Sequence, residues 1–116
     1  IHYGRDMGLL ANLKKLYGTQ KVEIHHVFDD IYGYHLKHVA DIYVDDKLDD
    51  IEALDKAYML SQSINDAWYQ NKYVDCKVPH ARSTQNGDIF KLNNANYIVT
   101  DKGFEQSDLS ISGGYQ

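Results

Sequence analysis

The side chains able to do chemistry gather in three places. Four histidines, His25, His26, His35 and His38, fall close together around Asp29 and Asp30. Imidazole nitrogens and carboxylates are ligands for Zn2+ and related ions, so a hairpin uniting them would offer a metal site through His25, His35 or His38. Strict strand alternation works against this: His25 opposes His26, and His35 and His38, three apart, point to opposite faces. No single face then collects three ligands without help from the intervening loop, and no metal ligand is assigned. Cys76 with His80 four residues on is the second place. A thiolate–imidazole nucleophile needs spatial contact and electropositive surroundings. Asp75 beside Cys76 raises the thiol pKa and Lys77 opposes it, and the expectation is an unreactive thiol. The third is "ARSTQNGD", with Arg82, Ser83, Thr84, Gly87 and Asp88. These residues would make a ligand site at the mouth of a hairpin, or they would build the hairpin. In the second reading Ser83 or Thr84 bonds to backbone, Asp88 accepts from a turn N–H or pairs with Arg82, and Gly87 supplies a turn angle. The habit of Ser, Asp and Gly to punctuate turns favours the second. The sequence has no G-x-S-x-G elbow, phosphate loop or dinucleotide fingerprint. No catalytic residue and no cofactor is assigned, and a non-enzymatic protein is expected.

The elements that must position these residues follow from periodicity. A chain of 116 residues predicts one domain over 1–116, and 43% hydrophobic residues suffice for a core. In "RDMGLLANLKKLYG" Leu9, Leu10, Leu13, Leu16 and Tyr17 share one helical face, with Asp6 as N-cap and Gly18 past the C-terminus. "QKVEIHHVF" alternates, with Val22, Ile24, His26 and Phe28 on one side and Lys21, Glu23, His25 and Val27 on the other. Residues 29–34 read as a long turn. A second strand, 35–44, puts Leu36, Ala40, Ile42 and Val44 on one face, interrupted by His38. Asp49 and Glu52 form a near capping box for a helix ending near Ser63, whose inward stripe is Ile51, Leu54, Ala57, Tyr58, Ser61 and Ile64. Residues 65–80 read as irregular, with Pro79 biasing Val78 out of helical geometry. "GDIFKL" and "NYIVTD" flank the turn "NNA", and Gly103 suggests a bulge that re-aims Phe104. The tail 107–116 is expected to be flexible. The predicted fold is α+β: a small antiparallel sheet of about four strands with two helices packed on it, in the order α-β-β-α-β-β. Residues 1–35 are expected to supply its N-terminal helix and first strand.

The stretches "DIEALDKAYMLSQSINDAWYQN" and "ARSTQNGDIFKL…NYIVTDKGFE" resemble a set of small bacteriophage and plasmid proteins. Their shared pattern is a helix ending in an Asn-rich turn with a Trp, then Arg-Ser-Thr/Met-Ser-x-Gly-Asp, a hairpin and Gly-Phe. The C-terminal half also resembles the YodL-like domain. The resemblance spans about residues 36–105. Gln85-Asn86 departs from the Ser/Thr-Val pair usual there. The resemblance implies a mobile-element accessory protein and supplies no catalytic residues.

The distinctive charge feature is Asp41, Asp45, Asp46, Asp49, Asp50, Glu52 and Asp55, relieved by Lys47 alone. Such a run serves a helix N-terminus and a solvated corner, or it imitates nucleic-acid phosphates before a basic groove. Trp68 and Tyr69 form an aromatic knot that either anchors a partner or caps the core. A net charge of -5 argues against direct nucleic-acid binding. No apolar run has the length of a membrane span. "IHYGRDMGLL" lacks the pattern of a signal peptide. A single cysteine fits a reducing compartment, and the expected location is the host cytoplasm or a virion. The absence of an initiator Met fits processing or an incomplete sequence. The expected function is binding of a host or virion protein through the acidic corner, with Trp68 and Tyr69 as anchors. Alternatives are a structural component of a virion or other assembly, and a metal-dependent enzyme.

Overall fold

A computed structural model of the chain describes residues 18–63 and 67–107. The alternating segments become two long strands, β1 (Thr19–Asp30) and β2 (Gly33–Asp45). They meet through a two-residue turn at Ile31 and Tyr32, so the expected long loop is corrected. Asp30 Oδ1 accepts the Tyr32 N–H at 2.8 Å, and Gly33 takes a φ of 98°, a left-handed geometry that costs glycine little. Asn93 and Asn94, with φ of 52° and 67°, make a primed two-residue turn between β4 (Ile89–Leu92) and β5 (Ala95–Thr100).

The helix α1 (Asp50–Leu60) starts at a complete capping box. Asp49 Oδ1 accepts the Glu52 N–H at 2.8 Å, and Glu52 Oε1 accepts the Asp49 N–H at 3.0 Å. Ala53, Leu54 and Ala57 face the sheet; Ile51, expected inside, is 55% exposed.

The expected sheet of about four strands under two helices is corrected. Among the described residues there are six antiparallel strands in the order β3-β2-β1-β4-β5-β6, one α-helix and a 3-10 turn at Trp68–Gln70. The additional strands are β3 (Val74–Cys76) and β6 (Gly103–Ser107). β3 is three residues long, too short to show a period. It docks because Val74 enters the core and Lys77 N–H donates to the Val39 carbonyl at 2.7 Å. In place of the expected bulge, Gly103 pairs with Thr100 across a two-residue turn and opens β6. That places Phe104 against Phe90 and Tyr58. The expected helix over 5–17, Ile64 and residues 108–116 lie outside the described residues; Ser107 closes β6.

Helix α1, Trp68 and the inner face of the sheet form the core. Val22, Ile24, Ala40, Ile42, Val74, Phe90, Leu92 and Val99 are all nearly or fully buried there. One irregularity sets the chemistry of the other face. Ile24 pairs with Ala40 but His25 pairs with His38, which leaves Val39 as an extra residue in β2. The bulge reverses the alternation of β2 at that point. Val39 turns into the core, whereas Leu36 and His38 turn outward, correcting the expected inward Leu36.

Candidate functional site

The long hairpin outruns the sheet. β4 pairs with β1 only at Glu23 to His25, and β3 pairs with β2 only at Ala40 to Ile42. The distal part of the hairpin, about residues 28–37, is therefore an arm with no neighbouring strand among the described residues. Its tip carries Ile31, Tyr32 and Tyr34, which are 89%, 88% and 78% exposed. Phe28 follows on the inner side, stacked on His35 with ring centroids 5.9 Å apart. Exposed apolar side chains collected on one projection differ from the single scattered ones that any surface carries.

The arm is fixed at its base by the Arg82–Asp88 pair. Asp88 is 1% exposed and receives both terminal nitrogens of Arg82, at 2.7 and 2.8 Å. The same pair takes up the edge of β1: Val27 N–H donates to Asp88 Oδ1 at 3.0 Å, and Arg82 donates to the Val27 carbonyl at 3.1 Å. Two side chains thus satisfy the backbone groups that a further strand would have paired. Around them, Gln85 N–H donates to Asp88 Oδ2, and Ser83 Oγ accepts from the Ser63 N–H. Gly87, with a φ of 96°, hands its N–H to the Val99 carbonyl. His26 lies behind this cluster, 1% exposed, its Nε2 3.3 Å from Thr84 Oγ1 and 3.7 Å from Asp88. Burial, reinforced by Arg82 and His25 and opposed by Asp88, lowers the His26 pKa to about 4. Beside the arm base lies a groove of about 440 Å³ whose lining includes His26, Phe28, Lys37, Pro79 and His80.

Outside the arm base, the bulge gathers a second cluster. The ligating atoms of Glu23, His25 and His38 all lie within 4.8 Å of one another. His25 Nε2 is 3.1 Å from Glu23 Oε1, and His38 Nε2 is 2.7 Å from Asp41 Oδ1. The expectation that no single face collects three ligands is corrected: Glu23 and His25 alternate onto this face, and the extra Val39 brings His38 to it. His35, assigned to the same group from sequence, sits out on the arm, 3.7 Å from Asp30. Burial lowers the pKa of His25, and the Glu23 hydrogen bond offsets this only in part. Burial works to raise the carboxyl pKa values of Glu23 and Asp41, but their imidazole partners and neighbouring lysines outweigh it and keep both below the ordinary range. These residues are of the types that hold a transition-metal ion.

The acidic corner is dispersed into local roles. Asp41 is 5% exposed and pairs with His38 and with Lys77 at 3.5 Å. Asp45 Oδ1 accepts the Lys47 N–H, Asp49 caps α1, and Asp50 accepts from Asn93. Asp46 and Asp55 are exposed. Trp68 is withdrawn from the surface: it is 3% exposed and its indole N–H donates to the carbonyls of Ala81 and Arg82. Tyr69 stands edge-on to His80, its hydroxyl 3.1 Å from Nδ1. Cys76 donates its thiol to the Val78 and Val39 carbonyls, and burial pushes its pKa up. That shift disfavours the thiolate a nucleophile requires.

Sequence reasoning passed over the arm because residues 29–34 read as a turn. The signal available was "IYGY", three large apolar side chains where turn residues are usually small and polar. Among the described residues no helix is long and apolar enough to cross a membrane. No protein-family model, curated protein or solved structure matches the chain.

Proposed function

We propose that this chain is a non-enzymatic binding domain of a phage or other mobile element, and that it grips a host or virion protein with the β1–β2 arm. The resemblance of residues 36–105 to small phage and plasmid proteins supplies the setting. The observation that carries the reading is the arm: Ile31, Tyr32 and Tyr34 project into solvent on a hairpin anchored by the Arg82 pair with the buried Asp88. Aromatic side chains are enriched at protein interfaces, and a rigid mount lowers the ordering cost of binding. Among the described residues no strand pairs with the edges of the arm, whose backbone donors and acceptors suit an extended segment of a partner. The acidic corner is the weaker candidate, since Asp41, Asp45, Asp49 and Asp50 already serve bonds within the chain.

The test compares two variants by quantitative capture from a bacterial host lysate. The triple variant Ile31→Ser, Tyr32→Ser and Tyr34→Ser loses the partner retained by the native chain. Reversal of Asp45, Asp46 and Asp50 to Lys keeps it. The opposite pattern overturns the arm reading in favour of the charged corner. Should the arm variant abolish self-association seen by light scattering, with no foreign partner captured, the chain is instead a structural component that assembles with its own copies.

A further inference from the structure

The cluster on the outer face of the sheet is unrelated to the arm tip, and its donor set is specific. One imidazole nitrogen each from His25 and His38 and a carboxylate oxygen of Glu23 lie within 4.8 Å of one another. The two rings stack at 4.7 Å between centroids, and each ε nitrogen faces a carboxylate. We propose that Glu23, His25 and His38 bind one divalent transition-metal ion of the Zn2+ type with water completing the coordination, and that Asp41, whose Oδ1 lies 2.7 Å from His38 Nε2, orients the His38 ring.

Zinc takes nitrogen and carboxylate donors at about 2.0–2.2 Å, which sets the donors roughly 3.3–3.5 Å apart around a tetrahedron. Side-chain rotation of about an ångström closes the present group to that size. The 3.1 Å contact already brings the Glu23–His25 pair within it. The Glu23 carboxylate, with Asp41 behind His38, supplies charge that offsets a divalent cation. Two nitrogen donors disfavour Mg2+ and Ca2+, which take oxygen. The mounting is rigid on one side and open on the other. The side chains of His25 and Asp41 are 5% and 7% exposed, whereas those of Glu23 and His38 are 22% and 35% exposed, which leaves a route for the ion. Lys77 holds the other Asp41 oxygen, at 3.5 Å, and leaves Oδ1 to the imidazole side. The whole arrangement depends on the extra residue Val39, without which His38 and Asp41 would point to opposite faces.

The test uses the full chain, stripped with chelator and titrated with Zn2+ by calorimetry, with Co2+ absorption reporting four-coordination. One ion per chain is expected. His38→Ala and Glu23→Gln, both at partly exposed positions and checked for fold by circular dichroism, each weaken binding at least about tenfold. His35→Ala, out on the arm, leaves it unchanged. Failure of the native chain to bind a stoichiometric ion overturns the proposal, as does binding that survives His38→Ala and Glu23→Gln or is lost in His35→Ala.

Discussion

Arg82 holds Asp88 with both of its terminal nitrogens, and together the two side chains occupy the backbone N–H and carbonyl of Val27 on the edge of β1. The pair is a clamp between the loop before β4 and the root of the arm. Replacing Arg82 by Met leaves the Asp88 carboxylate buried at 1% exposure without its cation. Because Arg82 is one-third exposed and Asp88 keeps the Val27 and Gln85 N–H donors, that loss costs about 1–3 kcal/mol, read as a drop in the urea midpoint at unchanged slope. The double variant Arg82→Met, Asp88→Leu costs less than the sum of the two single changes, because the stranded charge goes with its partner.

Stability falls on mild acidification. His26 has a folded pKa of about 4 against an ordinary 6.5, so between these values the unfolded chain binds more protons than the folded one. The contribution is complete above pH 6.5 and is lost as pH falls to about 4. It amounts to about 3 kcal/mol in all, with about 2 kcal/mol gone between pH 7 and pH 5. His25, also lowered, acts in the same direction. Urea midpoints at the two pH values measure the slope, and His26→Gln flattens it.

The acids between 41 and 55 are unequal. Asp49→Ala removes the cap of α1 and costs about 1 kcal/mol. Asp46→Ala, at an exposed position whose N–H rather than side chain bonds to the Gly18 carbonyl, changes stability by less than about 0.5 kcal/mol. Thermal unfolding of the two variants separates the roles that composition alone runs together.

Much of the local structure was legible in the sequence because it is written in short-range chemistry. The alternation from Val22 to Phe28, the Asp49–Glu52 box and the Asn93–Asn94 turn each carry their cause within a few residues. What escaped was decided at longer range. Val74 to Cys76 form a strand only because β2 offers an edge, and Gly103 opens β6 only because Val99 and Thr100 lie opposite. The single extra residue at Val39 cancels strict alternation, which is why His38 and Asp41, three apart, share a face that simple counting denies them. The arm was read as a loop because the sequence between Asp29 and Tyr34 does not reveal that strands persist to Asp30 and from Gly33.

The arm's role as the contact surface is tested most directly by photocrosslinking. A benzophenone amino acid is placed at Tyr32, on the tip, and in a second preparation at Asp46, on the acidic corner; both positions are solvent-exposed. Illumination in host lysate is predicted to give a discrete adduct of higher mass from position 32 and none from position 46. An adduct from position 46 with none from position 32 would contradict it.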